Sequence, residues 1–376
     1  MPVKRRTGST KNPPILSHEF FIQNHPDIIS CVAMVFVVGL LFQATASLAS
    51  LFIVMSHNVT NPQEEAIVMY TYGVKDLALL FFYFLICIVM HAVIQEYFLD
   101  KLNRKMHLSK IKHSKFNESG QLLVFYVMSV IWAIEIIRRD GYLWSISKLW
   151  VDYPHQEMSY LFKFYFIIQI AYWLHSFPEL YFQKVKKEEM APRITYSTLY
   201  LSFFSVAYLL NFTRIALCLS VLHYTVEALF HCSRLFYFAE KTQISDQGFK
   251  LWNVLFVFVR LASITLSVLT FWYGLSVNQR STPSLSEGNF NTSIIRINCL
   301  LALCFLQAWM MWNYITFHLK RMRERALEMQ QQKKKQHKNQ HKKKRTEEDV
   351  NELPEVDQNT KKLTQRSVGK TGKAKH

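Results

Sequence analysis

Apolar and polar residues form long alternating blocks along this chain. Eight apolar runs reach or approach the about 20 residues that an α-helix needs to cross the hydrocarbon core of a bilayer. The first, seventh and eighth each span more than 22 residues with at most one full charge. The runs are Ile29–Met55, Gly73–Ile94, Gln121–Ile137, Tyr160–Phe177, Thr195–Phe212, Ile215–Cys232, Leu251–Leu275 and Ile294–Phe317. The pattern predicts an all-α, polytopic membrane protein of about eight transmembrane helices.

The first run is too long for the apolar region of a cleavable signal peptide, and no small-residue cleavage site followed by a polar segment comes after it. A short basic stretch, Lys4-Arg5-Arg6, precedes it. We therefore interpret the run as a membrane anchor that stays in the protein.

The positive charge lies almost entirely between alternate runs. The formal net charge is +17, although half of the residues are hydrophobic, and the mean hydropathy is +0.05. With the amino terminus in the cytosol, the cytosolic segments contain 35 Lys and Arg residues and the opposite segments contain 5. Because cytosolic loops carry the excess of Lys and Arg, both termini are predicted to be cytosolic.

Asn58-Val-Thr60 is the best candidate for N-glycosylation, because it falls in a loop predicted to be non-cytosolic. Asn291-Thr-Ser293 also falls on that side, whereas Asn117 is cytosolic and Asn211 lies at a membrane edge. A glycosylating lumen indicates the endoplasmic reticulum or a later compartment. All six cysteines lie in or beside apolar runs, so no disulfide framework is predicted.

After the last run the composition changes abruptly to a basic tail. Residues 318–376 contain 18 basic and 8 acidic residues and almost no aromatic ones. Such a segment cannot bury a core, so we predict disorder beyond a helical extension over 320–332. Basic runs bind phosphates, which makes ribosomal RNA and anionic lipid headgroups candidate partners. An inert, solvated tail is an equally good interpretation.

Three polar residues share one stripe of the sixth run. His223, Glu227 and His231 are spaced i, i+4 and i+8, which places them on one helix face. Polar groups in membrane helices usually mark cavities, partners or pathways. The stripe is compatible with a metal site, an acid–base pair, a polar seam between helices or a headgroup cavity. The first is disfavoured because the three positions span about 12 Å of helix rise.

Arg260, near the middle of the seventh run, needs a carboxylate or a phosphate as a partner. Glu227 is one candidate and Glu135 is another. His175, near the end of the fourth run, is expected to face the same interior. Pro178 follows it and is expected to break or bend the helix.

Several stretches resemble the translocating chain-associating membrane protein (TRAM) family, and the similarity runs from Asn12 to about Arg325. The most specific are Asn12-Pro-Pro-Ile-Leu-Ser-His-Glu-Phe20 with Gln23-Asn-His25, His91-Ala-Val-Ile-Gln-Glu-Tyr97, His113-Ser-Lys-Phe-Asn-Glu-Ser-Gly-Gln121, Ala171-Tyr-Trp-Leu-His-Ser-Phe-Pro-Glu-Leu-Tyr-Phe-Gln183 and Arg234-Leu-Phe-Tyr-Phe238.

The resemblance implies a domain shared with ceramide synthases, the TLC domain, which forms a six-helix bundle around a lipid-facing cavity. It suggests a cytosolic amino terminus (1–28), two helices (29–116), the TLC domain (117–324) and a disordered tail (325–376). In ceramide synthases a paired His-His and two Asp occupy the cavity. Residues 189–197 contain no histidine pair, and Tyr224 and Glu227 stand at the aspartate positions. Acyl transfer is therefore not expected.

The family also implies a function. TRAM-like proteins sit beside the Sec translocon of the endoplasmic reticulum membrane, contact nascent signal sequences and transmembrane helices, and assist translocation and insertion. Phospholipids are expected in the cavity, and the ribosome is a candidate partner of the tail. Neither catalytic residues, a cofactor nor a metal is implied. The alternatives are a lipid-binding or lipid-modifying protein of the ceramide-synthase type and a transporter or channel.

Overall fold

The computed structural model describes residues 14, 17–59 and 68–351. It is almost entirely helical. The helices are α1 (His18–Gln23), α2 (His25–Gly39), α3 (Gln43–Ile53), α4 (Asp76–Val93), α5 (Asp100–Met106), α6 (Lys110–Asp140), α7 (Tyr160–Phe182), α8 (Lys187–Leu209), α9 (Thr213–Phe238), α10 (Thr242–Ser267) and α11 (Ser293–Asn351). A π-helical turn, Ile94–Leu99, joins α4 to α5, and another, Val268–Gly274, extends α10. The prediction of an all-α membrane protein is confirmed.

Five helical segments are long and apolar enough to cross a membrane. They are Asp76–Met106, Lys112–Asp140, Thr213–Phe238, Thr242–Gly274 and Ser293–Lys334. They correspond to the second, third, sixth, seventh and eighth predicted spans. The fourth and fifth predicted spans form α7 and α8, which have 23 residues each and so rise about 34 Å.

The first predicted span is not one helix. The run Ile29–Met55 is divided into α2 and α3 by a break at residues 40–42, where Phe42 is extended. The hydroxyl of Thr45 donates to the carbonyl oxygen of Gly39 at 2.7 Å, across the break. A helix of 15 residues rises about 22 Å, less than the hydrocarbon core of about 30 Å. The prediction of a continuous span is therefore wrong.

Pro178 lies inside α7 and does not end it, because the helix continues to Phe182. The proline removes one backbone donor, and the chain leaves the helix only four residues later. The boundary predicted at Phe177 is therefore too early, and Glu179 belongs to the same helix as His175.

A small antiparallel sheet lies next to the first residues of α7, at the end of the helix away from Pro178. Its two strands are β1 (Met69–Tyr70) and β2 (Met158–Ser159), with Met69 paired to Ser159 and Tyr70 to Met158. Strand β1 precedes α4 and β2 precedes α7, so the sheet fixes the starts of these two helices next to each other.

A buried ion pair reinforces this junction. Lys163 of α7 is fully buried, and its Nζ lies 2.7 Å from Oδ1 of Asp76, the first residue of α4. The same Nζ donates to the carbonyl oxygens of Ser56 and Thr71. The other carboxylate oxygen of Asp76 accepts from the Tyr208 hydroxyl at 2.9 Å. Both charges are thus surrounded by partners.

Aromatic residues of α6 to α9 dominate the core. Trp173 stacks on Tyr200 with ring centroids 4.1 Å apart, and Tyr224 and Phe204 are also buried. The outward faces are apolar too, with Phe258 and Phe305 more than 70% exposed. Helices with apolar residues on every face, including the exposed one, are typical of membrane spans.

The chain divides into two compact units, which meet inside α11 between Gln307 and Ala308. The second unit continues α11 to Asn351, well past the predicted helical extension over 320–332. Its Ala, Leu, Glu, Gln, Lys and Arg residues are all strong helix formers. Residues 352–376, which include the rest of the predicted tail, lie outside the described residues, as do residues 1–13.

Candidate functional site

A cavity of about 360 Å³ lies among α4, α6, α7, α8 and α9, at the end of the bundle where α6 and α8 begin. His175, Glu227 and His231, three of the five residues singled out by the sequence, line it. His223 and Arg260 are the other two, and they lie behind its wall. Of the predicted stripe on α9, Glu227 and His231 therefore line the cavity, whereas His223 does not.

The wall behind the cavity is a chain of hydrogen bonds centred on His223. Arg260 Nη2 lies 2.7 Å from His223 Nδ1. Because a guanidinium only donates, Nδ1 accepts, and the ring proton is on Nε2. That nitrogen hydrogen bonds to the hydroxyl of Tyr200. The chain continues from Tyr200 to Tyr196 at 3.1 Å and on to Tyr126 at 2.7 Å.

The contacts of Arg260 differ from the predicted carboxylate pairing. The side chain is fully buried. Besides His223, its guanidinium donates to Gln307 Oε1 at 2.9 Å and lies over the Phe256 ring. Glu227 lies beside His223, with its carboxylate 4.0 Å from His223 Nε2. Glu135, the other predicted partner, binds Arg138 and Arg139 within one turn of its own helix.

A second polar cluster, which sequence reasoning missed, joins α4 to α7. His175 Nε2 lies 3.4 Å from His91 Nδ1, and His91 Nε2 lies 3.3 Å from Glu179 Oε1. Gln183 donates to the same oxygen of Glu179 at 3.0 Å. The backbone carbonyl of His91 accepts from Gln121 of α6. His91, Glu179, Gln183 and Gln121 all lie in stretches that carry the family resemblance, which was the available signal.

Glu118 and Arg193 line the cavity and pair with the more exposed Lys115 and Glu189; these four residues are called the rim. Arg193 of α8 lies 3.0 Å from Glu118 of α6 and 3.4 Å from Glu189. Lys115 lies 3.2 Å from Glu189 and 3.9 Å from Glu118. The hydrogen bond from Lys115 holds the pKa of the Glu189 carboxyl below its usual value. Two cations and two anions thus neutralise one another around the opening.

Inside the rim, several polar atoms have no partner among the described residues. Glu179 Oε2 and His231 Nδ1 are buried and make no hydrogen bond there. Glu179 and His231 are 7% and 5% exposed as whole residues. Buried polar atoms are hydrogen-bonded in the great majority of cases. The cavity therefore has the character of a binding site, with acceptors ready for a donor.

Tyr224 and Glu227, which the family resemblance places at the ceramide synthase aspartate positions, lie in different surroundings. Tyr224 accepts from Trp173 Nε1 at 3.0 Å and donates to Gln169 at 2.9 Å, so its hydroxyl is fully engaged in the core. Glu227 faces the cavity. In the described part of the chain no group of three His, Cys, Asp or Glu side chains is placed to hold a metal ion.

The four glycosylation sequons differ sharply in exposure. Asn58 is exposed, although Thr60 of its sequon lies outside the described residues. Asn291 is fully buried and donates to the carbonyl oxygen of Leu275 at 2.7 Å. Asn117 and Asn211 are buried as well. The folded chain therefore presents only Asn58, among these four described asparagines, to a modifying enzyme.

Comparisons with known proteins agree with this architecture. A family model described as the TLC domain matches residues 115–316. The chain is 46% identical over 325 residues to "Translocating chain-associated membrane protein 2" of Mus musculus and of Homo sapiens, covering 86% of each chain. It is 23% identical over 155 residues to "Ceramide synthase 4" of Bos taurus, covering 41% of this chain and 39% of that one. The chain belongs to the translocating chain-associated membrane protein family and carries its TLC domain.

Proposed function

We propose that this protein is an accessory component of the endoplasmic reticulum membrane that contacts nascent chains beside the Sec translocon and assists their translocation and insertion. The observation that carries the proposal is the 46% identity, over 86% of both chains, to proteins named for association with translocating chains. The spanning helices and the polar cavity supply a physical basis for it.

In this proposal the cavity is the part of the protein that contacts signal sequences and phospholipids. It places carboxylates, imidazoles and amides within a bundle whose outer faces are apolar. Polar groups at such a position lower the cost of bringing a hydrated or charged group into the bilayer, because they substitute for the lost water. A signal sequence that meets this region is stabilised there, and phospholipids near the cavity are perturbed.

The orientation and the tail complete the proposal. Both termini face the cytosol, which follows from the strong asymmetry of Lys and Arg between alternate segments. The basic residues at and beyond the end of α11 then lie on the ribosome side. There they supply cations for RNA phosphates or for anionic headgroups.

Site-specific photocrosslinking tests the contact with nascent chains. A photoreactive residue at 227 or 175, inside the cavity, should crosslink to the signal of a stalled secretory precursor. The matched control is position 131, because Ile131 is 61% exposed on the apolar outer face of α6. Crosslinks from the control alone, or only to lipid from all three positions, would count against the proposal.

Two simpler experiments test the location. Purification in mild detergent should recover Sec channel subunits together with the protein. Endoglycosidase should shift the mobility of the wild type but not that of Asn58→Gln, whereas Asn291→Gln should behave as wild type because Asn291 is buried. An unmodified wild type would contradict a lumenal position for Asn58.

The alternative is a lipid-modifying protein, which is favoured by the similarity to ceramide synthase over 41% of this chain and by the approach of His175 to His91. An assay with acyl-CoA and a sphingoid base decides between the two. Turnover that is abolished in His223→Ala would establish the alternative, and no turnover would leave the accessory role.

A further inference from the structure

The interior of the cavity contains more anions than cations. Glu118, Glu179 and Glu227 line it, and Arg193 is the one Lys or Arg among the described lining residues. Arg193 is already held by Glu118 at 3.0 Å on the rim. Glu179 and Glu227 are therefore left without a lysine or arginine partner in the described lining, although the charge of Arg260 acts on Glu227 from behind the wall.

Hydrogen-bond donors to these two carboxylates are few, and Gln183 donates to Glu179 Oε1 at 3.0 Å. Glu179 Oε2 has none among the described residues. Glu227 has His223 Nε2 at 4.0 Å, but the proton on that nitrogen is directed to Tyr200. Unpaired buried acceptors are costly. A ligand that fits this interior must bring several donors and a positive charge.

The walls around the carboxylates are aromatic. Tyr172, Trp173, Tyr196 and Phe230 all line the cavity. Aromatic faces attract ammonium groups through the ring quadrupole. Carboxylates combined with aromatic walls are the chemistry that recognises an organic ammonium. The volume of about 360 Å³ is within the range of about 300–1,000 Å³ that is typical of ligand pockets.

The charge around the opening distinguishes between two molecules that could bring such an ammonium, a basic peptide and a lipid headgroup. Lys115 and Arg193 at the rim are paired with Glu189 and Glu118. The excess positive charge therefore lies next to them, where α7 connects to α8 and Lys184, Lys186 and Lys187 are exposed beside one acid, Glu188. Cations in this position repel a basic peptide segment that approaches the opening. They suit a phosphate, which Arg and Lys bind readily. An acidic interior behind a neutral rim and a net basic connection matches the charge order of a zwitterionic headgroup.

We infer that the cavity binds the headgroup of an aminophospholipid, with its primary ammonium against Glu227 and Glu179 and its phosphate near Arg193 and Lys115. The inference rests on the lipid contact in the proposed function and adds the class of headgroup. The primary amine is specified because its three N–H donors are what the unpaired acceptors lack.

Native mass spectrometry of the full chain tests this inference. The protein is reconstituted into vesicles of equimolar phosphatidylethanolamine and phosphatidylcholine, and the lipid it retains after extraction is weighed. We expect the wild type to retain the ethanolamine lipid by about tenfold over the choline lipid. Retention should fall stepwise when the amine is methylated once and then twice, because each methyl group removes a donor.

Variants assign the preference to the cavity. Glu227→Gln and Glu179→Gln should each reduce the preference to about twofold or less, since an amide oxygen still accepts a hydrogen bond but carries no negative charge to attract an ammonium. Glu157→Gln is the matched control, because Glu157 is exposed in the loop before β2, and it should retain the tenfold preference. Equal retention of both lipids by the wild type, or an undiminished preference in both cavity variants, would overturn the inference.

A peptide arm separates this inference from the proposed function. If Glu227→Gln loses the photocrosslink from position 175 to a lysine-bearing signal while its lipid preference is unchanged, then the cation belongs to the nascent chain and the lipid assignment is wrong. If the wild type shows the lipid preference but no signal crosslink from 227 or 175, the lipid inference holds and the direct contact with signals fails.

Discussion

Helices α4 and α7 carry a charged cluster at each end, and the two clusters are built differently. At their starts, Asp76 and Lys163 form an ion pair of 2.7 Å whose remaining donors and acceptors bind backbone carbonyls and a tyrosine hydroxyl. At their other ends, His91, His175 and Glu179 meet beside a cavity, and Glu179 Oε2 makes no hydrogen bond with the described residues.

The difference shows which charges hold the fold and which are available to a ligand. A buried charge is tolerated when partners replace its lost water. The Asp76–Lys163 pair meets this condition from within the chain, so it stabilises one arrangement of α4 and α7. The cavity cluster meets it only in part, so another molecule can complete it.

Lys163→Met should give the largest loss of stability, because it leaves the Asp76 carboxylate buried without its cation. Breaking a buried pair in this way costs about 3–5 kcal/mol. Thermal unfolding in detergent measures it. The double variant Lys163→Met with Asp76→Asn removes both charges and should recover most of the loss. A double variant as unstable as the single one would contradict the interpretation that each charge of the pair is tolerated because the other is present.

Arg260→Met should have an intermediate effect. It removes a buried cation but leaves Gln307 Oε1 and His223 Nδ1 without their donor. Two unsatisfied buried acceptors, offset by the relief of a buried charge, give a net loss of about 2 kcal/mol. The control is Arg280→Met, because Arg280 is half exposed and pairs with Glu287 at the surface. An equal effect of the two substitutions would mean that the chain centred on His223 contributes nothing specific.

Glu227→Gln should leave the free energy of unfolding within about 1 kcal/mol of the wild type. The carboxylate has no hydrogen-bond partner to lose among the described residues, and the amide avoids burying a charge. The same thermal unfolding assay, in detergent without added lipid, measures it. A loss comparable to that of Lys163→Met would show that Glu227 holds the fold, and the contrast between the buried ion pair and the cavity carboxylates would fail.

Glu189→Gln at the rim should have the smallest effect, less than about 1 kcal/mol, because half-exposed ion pairs contribute little. The pKa of the Glu189 carboxyl is below its ordinary value because of Lys115. Its contribution is therefore present near neutral pH and is lost as the pH falls through that lowered pKa. Unfolding at pH 7 and below pH 4, with low and high salt, should show wild type and variant converging in acid and in salt.

Much of the fold could be predicted from hydrophobic patterning alone. Long apolar runs require helices in a bilayer, and most of the predicted runs coincide with helices of the structure. The break in Ile29–Met55 is not marked by a proline or a charge, so the apolar pattern runs through it. In the structure Phe36 and Phe52, on either side of the break, have ring centroids 4.7 Å apart and pack with the face of α4 that carries Phe82. Such contacts with another helix are not encoded in the periodicity of the run.

The candidate site was predictable where one helix carried the pattern. The spacing of His223, Glu227 and His231 on α9 is visible in the sequence, and Glu227 and His231 do reach the cavity. The meeting of His91 with Glu179 joins residues 88 positions apart, and no local period encodes it. Polar partners on different helices become apparent only when the helices are placed next to each other.

The divided first run also bears on how the protein assembles. Residues 29–55 have the length and hydropathy to enter a bilayer as one helix, and membrane helices insert before they pack. The contacts of Phe36 and Phe52 with α4 form only after α4 has entered. We therefore expect this segment to insert as a single rod and to divide into α2 and α3 later. The final shape of this segment then depends on α4, which is synthesised after it.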